Sequence, residues 1–185
     1  MLALTRLGLE RRHPGPFSVR YPRDAVPAAV PPLADIPPIE FGTWETLREG
    51  SAVALLATGT MVLPALEAAR LLEAEGIDAT VVNCRFLKPM DLDLLEDVAD
   101  RHGAIVTIEE GTEVNGFGAA VARWLGERQG ERPPRIAVLG VPDRLIEHAS
   151  REEQLTEVGL TPSGIAARAR ALVENADLSA VRASA

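Results

Sequence analysis

Apolar residues come in short blocks separated by Gly, Pro and polar runs, and the blocks alternate between two periods. Ala52-Val53-Ala54-Leu55-Leu56-Ala57 is a continuous apolar run of strand length. Thr58-Gly59-Thr60 follows as a turn. Val62, Leu63, Leu66, Ala69 and Leu72 then recur at helical spacing until Gly76, a residue that commonly closes helices. The alternation continues. Residues 79–84 read as a second strand, and a helix opens at Asp91, carries Leu94, Leu95 and Val98 on one face, and stops at Gly103. Residues 104–108 read as a third strand, 115–129 as a helix with Val121, Trp124 and Leu125 inward, and 136–139 as a fourth strand. Strands that are apolar throughout and separated by helices predict βαβ units, a mostly parallel sheet and helices on both faces. The expected fold class is α/β, a three-layer α/β/α arrangement.

The remainder follows other rules. Ser150 with Glu153 forms a capping-box pattern that opens a short helix. Thr161-Pro162 supplies an N-cap and a first-turn proline for a last helix over about 162–174. At the other end, residues 1–12 read as a helix broken by His13-Pro14-Gly15-Pro16. Phe17-Ser18-Val19-Arg20-Tyr21 alternates as a lone strand would. Five prolines between 27 and 38 predict an extended linker. One helix and one strand cannot bury their own faces. The expected division is therefore a remnant of a preceding domain at 1–23, a Pro-rich linker at 24–40, one domain at 41–175, and a frayed tail at 176–185.

Composition narrows the function classes. Aromatic residues make up 4% of the chain, so Ala, Val, Leu and Ile must build its core. The net charge of −8 argues against nucleic acid or an anionic membrane as partner, since no basic stripe is present to meet phosphates. No apolar stretch reaches the roughly 20 residues that span a bilayer. Nothing resembles a secretory leader, so a cytoplasmic location is the expectation. The single cysteine, Cys84, lies in an apolar run and reads as a buried small hydrophobe.

Ligands of open α/β sheets gather beyond the carboxyl ends of the strands. Three segments fall there. Thr58-Gly59-Thr60 offers amides and hydroxyls that could hold an anion, or forms only a tight turn. Arg85 and Lys88 supply positive charge. Glu109-Glu110 could suggest an acid/base pair, but adjacent residues of a strand face opposite sides. Each is expected to pair with a base such as Arg85 or Lys88, or to lie at an interface. Asn115-Gly116-Phe117-Gly118 places glycines where the chain passes close over something and lacks a full dinucleotide fingerprint, so a structural turn, one that could pack against a partner subunit, is the expectation. His13, His102 and His148 are far apart, without metal-ligand spacing, and are expected at the surface or as caps. Arg20-Tyr21-Pro22-Arg23 sets two guanidinium forks at a strand end. That geometry suits a phosphate, although an exposed basic turn would look the same.

At this run the chain resembles a known family. "GPFSVRYPRD" at 15–24, "ATGTMVLPALEAARLL" at 57–72, "RFLKPMDLDLL" at 85–95, "IVTIEEGTEVNGFGAAVARWL" at 105–125 and "LGVPDRLIEHASREEQLTEVGLTPSGI" at 139–165 follow, in order, the pattern of the transketolase-like thiamine-diphosphate enzymes. Within them the chain resembles the 1-deoxy-D-xylulose-5-phosphate synthases. "RFLKPMD" and "GVPDRLIEH" carry that finer likeness, while "ATGT" and "EEG" are shared with E1 β subunits of 2-oxo acid dehydrogenases. The resemblance implies a transketolase C-terminal-domain fold in a transferase that condenses pyruvate with glyceraldehyde 3-phosphate and releases carbon dioxide. The product serves isoprenoid precursor, thiamine and pyridoxal phosphate synthesis. It also implies thiamine diphosphate and Mg²⁺ as cofactors, a homodimer, and cofactor-binding and catalytic regions that lie in other domains. This chain alone is then expected to bind no cofactor or metal and to be inactive, serving dimerisation and the shaping of the site. Arg23 matches the family arginine that contacts the aldehyde's phosphate, with Arg20 and Tyr21 in support. The family has Gly after that arginine; here Asp24 places a negative charge beside it. Two other readings remain: the corresponding domain of an E1 β subunit of a 2-oxo acid dehydrogenase, disfavoured by "RFLKPMD" and "GLTPSGI", and a stand-alone dimerisation or interaction module, disfavoured by the unpaired edge of a lone strand at 17–21.

Overall fold

The computed structural model describes residues 2–10, 15–21, 31–128 and 133–183. Five strands form one sheet: β1 (Glu45–Arg48), β2 (Val53–Ala57), β3 (Ala79–Asn83), β4 (Ala104–Thr112) and β5 (Arg135–Val141). Their order is β1-β3-β2-β4-β5. β2, β3, β4 and β5 run parallel; β1 is an antiparallel edge strand on β3. The helices are α1 (Leu2–Glu10), α2 (Val62–Ala74), α3 (Leu92–Arg101), α4 (Phe117–Glu127), α5 (Arg151–Glu157) and α6 (Pro162–Ala183).

Two apolar clusters sandwich the sheet. On one face, Val53, Leu55, Ala57, Val81, Val106 and Ile108 meet Ala65, Ala68, Ala69 and Leu72 of α2 and Ile165, Ala166 and Ala169 of α6. On the other, Ala54, Leu56, Val82 and Ile105 meet Leu95 and Val98 of α3 and Val121 and Leu125 of α4. Every residue of β2 is fully buried because both its faces are covered and both its edges are paired. The expected three-layer α/β/α architecture is the observed one. Alanines on α2 are what let that helix approach the sheet closely.

Local chemistry sets most boundaries as anticipated. Asp91 caps α3 by accepting from the Leu94 amide at 3.0 Å. Its other oxygen accepts from the Trp44 amide at 2.7 Å, which ties the start of β1 to α3. The Ser150–Glu153 capping box is fully formed. Thr161 accepts from the Gly164 amide at 3.1 Å at the head of α6. Gly76, at φ 81, ends α2 in the left-handed region that only glycine enters freely.

Three expectations are corrected. β1 was not anticipated: in Glu45-Thr46-Leu47-Arg48 the half-buried positions are polar and Leu47 faces outward, so it carries no hydrophobic alternation. Residues 15–21 form no strand. They are held instead by Phe17, which lies against Gly8 of α1 and 6.4 Å from Phe41, centroid to centroid. The last helix runs on to Ala183, well past residue 174. His13 and residues 24–30 of the Pro-rich stretch lie outside the described residues; its described part, 31–40, contains a 3-10 turn at Leu33–Asp35.

Candidate functional site

The carboxyl ends of β3, β2, β4 and β5 lie side by side along one edge of the sheet, and the segments expected to matter meet there. Each has a definite structural partner. Glu109 is buried, and its Oε1 accepts from the Gly118 amide at 2.8 Å. It thereby caps α4 from a neighbouring strand, neutralising part of the positive end of the helix dipole. The glycines of Asn115-Gly116-Phe117-Gly118 are explained by this contact. A Cβ on Gly116 would strike the Glu109 carboxylate, and one on Gly118 would strike Thr107 and Val138. The chain passes close over its own β4, and Asn115 turns into it at φ 60.

Glu110 points to the opposite face. Arg151, the first residue of α5, donates to it from Nε at 2.8 Å and from Nη2 at 2.6 Å. Thr60 Oγ1 donates to it at 2.7 Å. The Arg151 hydrogen bonds hold the Glu110 carboxyl below its usual range; partial burial opposes this, and the Thr60 hydroxyl adds to it. The result is a latch joining the β2–α2 turn, β4 and α5. Beside it lies a shallow hollow of about 140 Å³ floored by Val141, Ile146, Leu155 and Val158.

The two glutamates therefore form no dyad. Their partners differ from the expected ones, since Arg85 bonds Thr43 O at 2.9 Å and pairs with Glu45 at 3.4 Å, while Lys88 is exposed. In the Thr58-Gly59-Thr60 turn, the Thr60 hydroxyl donates to the Glu110 carboxylate and the Thr58 amide to Ile108 O at 3.0 Å. Cys84 is buried, and burial pushes its thiol well above the ordinary value. His102 caps the end of α3 from inside: Nδ1 lies 2.9 Å from Val98 O, and Nε2 lies 2.9 Å from Thr80 Oγ1. His148 is exposed.

Of the phosphate-clamp candidates, Arg20 and Tyr21 are exposed, Tyr21 at 71%. Arg23 lies outside the described residues. The segment reaches the β3 end of the edge through an aromatic chain, Phe17 to Phe41 to Phe86, the last pair at 5.6 Å. Among the described residues no three of His, Cys, Asp and Glu come together as metal ligands. The Glu110 latch and the Glu109 cap were missed because their partners are 41 and 9 residues away and belong to different elements.

Comparison with known proteins gives a consistent result. The family model "Transketolase, C-terminal domain" matches residues 42–165. A curated 1-deoxy-D-xylulose-5-phosphate synthase of Gloeobacter violaceus is 44% identical over 169 residues, 91% of this chain and 26% of the relative. 1-deoxy-D-xylulose-5-phosphate synthase 1 of Geobacter sulfurreducens is 42% identical over 87% of the chain and 25% of its own length. The chain thus spans about a quarter of the curated relatives it matches. Among solved structures, one titled "Split gene transketolase, inactive beta4 tetramer" matches at TM-score 0.68 and 39% identity, over 74% of this chain and 44% of that one. A transketolase of Pichia stipitis, at TM-score 0.53 and 24% identity over 72% of this chain and 18% of its own, shares the fold.

Proposed function

Because the chain belongs to the transketolase family through its C-terminal domain, we propose that it serves as that domain in a 1-deoxy-D-xylulose-5-phosphate synthase. The observation that carries this reading is identity of 42–44% with such synthases across some nine-tenths of the chain. The enzyme would condense pyruvate with glyceraldehyde 3-phosphate and release carbon dioxide, with thiamine diphosphate supplying the electron sink and Mg²⁺ its anchor. Isoprenoid precursor, thiamine and pyridoxal phosphate synthesis would draw on the product, in the cytoplasm.

The acidic and hydroxyl groups at the sheet edge have partners within the chain: Glu109 takes the Gly118 amide, Glu110 takes Arg151, and Thr60 gives its hydroxyl to Glu110. On this reading the catalytic and cofactor-binding regions lie in the three-quarters of the relatives that this chain does not match. This domain contributes structure, self-association into a homodimer, and one wall of the substrate site. Beside that wall Arg23, in the remnant of the preceding domain and supported by Arg20 and Tyr21, holds the phosphate of glyceraldehyde 3-phosphate. Residues 1–23 then belong with the preceding pyrimidine-binding domain and 24–40 with the linker. The 39% identical neighbour whose title describes a tetramer of one chain type supports self-association.

The test joins the upstream region of a curated relative to this chain. Arg23→Ala in that chimaera is expected to raise KM for glyceraldehyde 3-phosphate about a hundredfold, the scale of a lost charge-assisted phosphate contact of roughly 3 kcal/mol. The pyruvate KM should be unmoved. An unchanged aldehyde KM would remove Arg23 from the site.

A further inference from the structure

Residues 15–21 carry Arg20 and Tyr21, yet they lie in neither strand nor helix. What holds them is a column of three rings. Phe17 stands 6.4 Å from Phe41 in a tilted contact at 45°, and Phe41 stands 5.6 Å from Phe86, edge-on at 74°. Both separations fall in the range where aromatic pairs attract beyond the area they bury. One end of the column is closed by α1, since the Phe17 ring lies where a side chain on Gly8 would have to go. The other end is fixed in the domain. Phe86 is buried beyond the carboxyl end of β3, and its carbonyl accepts from Trp44 Nε1 at 2.7 Å. The Trp44 amide donates to Asp91 at 2.7 Å. These two bonds hold the stretch 41–44 beside the stretch 86–91 before any ring is counted.

The column joins two sides of the linker. Phe17 lies before it, and Phe41 and Phe86 lie after it. Along the segment, Phe17 and Val19 are half-buried while Ser18 and Arg20 are exposed. One side of the chain is thus anchored and the other, with Arg20, is turned to solvent. Arg20 stands three residues beyond Phe17 in sequence. An arginine fork grips a phosphate through parallel hydrogen bonds of fixed geometry. A displacement of about 1 Å at a substrate clamp is enough to weaken catalysis. A segment without ladder hydrogen bonds therefore needs an anchor close to its arginine, and the ring column is that anchor. Phe41 is the ring common to both contacts. It is also 40% exposed, so its side chain can be removed without opening the core.

We propose that Phe41 is a positioning residue: it sets the segment 15–21 against the end of β3, so that the basic run this segment carries meets the phosphate of the aldehyde substrate. The inference deepens the synthase reading given above and rests on it for the substrate. Trypsin reads the anchor on the chain alone. Phe41→Ala is expected to speed cleavage after Arg20 about tenfold, the scale of two lost ring contacts. Cleavage after Arg70, exposed on α2, should stay unchanged. Phe41→Tyr keeps the ring and should be cut at the native rate. In the chimaera, F41A should raise KM for glyceraldehyde 3-phosphate about tenfold and leave kcat and the pyruvate KM unmoved, with F41Y again native-like. A merely destabilised enzyme would lose active fraction, and so kcat, without moving one KM apart from the other. Unchanged cleavage after Arg20 in F41A would overturn the proposal. So would an aldehyde KM indifferent to F41A in an active chimaera. A chimaera without synthase activity would overturn the synthase reading and, with it, the substrate named here, while the cleavage ratio would still decide whether Phe41 anchors the segment.

Discussion

Two adjacent glutamates at the end of β4 show how one strand position decides a residue's work. Glu109 faces inward and caps α4; Glu110 faces out and latches α5. Removing the first leaves the head of α4 without its acceptor, so Glu109→Ala is expected to destabilise the chain by about 1–3 kcal/mol, read as a shifted urea midpoint. Glu110 contributes differently with pH. Its carboxyl is held below the ordinary range by Arg151, so the latch adds stability in full above the unfolded-state value of about 4.3. That contribution is lost as the pH falls through the lower folded value. The midpoint difference between the chain and Glu110→Gln should therefore be constant at neutral pH and vanish in acid. Were the difference to grow on acidification, the latch would be misassigned. Cys84 gives a third outcome: fully buried, with its thiol pushed up by desolvation, it should resist alkylation at pH 8 until the chain is unfolded.

Elements were legible in the sequence where one physical signal dominated. β2 and β3 announce themselves because burial on both faces demands unbroken apolar runs. α3, α5 and α6 announce their starts through Asp91, Ser150 and Thr161, whose side chains satisfy the first amides. β1 was silent because its inward positions are Thr46 and Arg48, the latter held by Glu73 at 2.9 Å, and no periodic pattern encodes an ion pair 25 residues distant. The segment 17–21 carried a strand's alternation, yet alternation records only which side is covered. Here the cover is Gly8 and Phe41 rather than a sheet. The glycines of α4 were recognised as a close approach, but what they approach, Thr107 and Glu109, could be seen only in three dimensions. Gly118→Ala would press a methyl group into Thr107 and Val138. A loss of about 1–3 kcal/mol is expected, as for other overpacked sites, measured by denaturant unfolding; an unchanged midpoint would mean that α4 can slide.

At the scale of the molecule, the three-layer domain holds the buried ionisable groups among its described residues in structural roles. The most buried carboxylate caps a helix, the buried histidine caps another, and the cysteine is sealed in the core. Under the proposed function, the cofactor chemistry of the family lies outside this chain and the domain works by joining to it. Calorimetric titration with thiamine diphosphate in the presence of Mg²⁺ tests this, run on the chain alone and on the chimaera carrying a relative's upstream region. Saturable binding is expected only in the chimaera. Saturable micromolar binding to the chain alone would contradict the account and return the cofactor site to this domain.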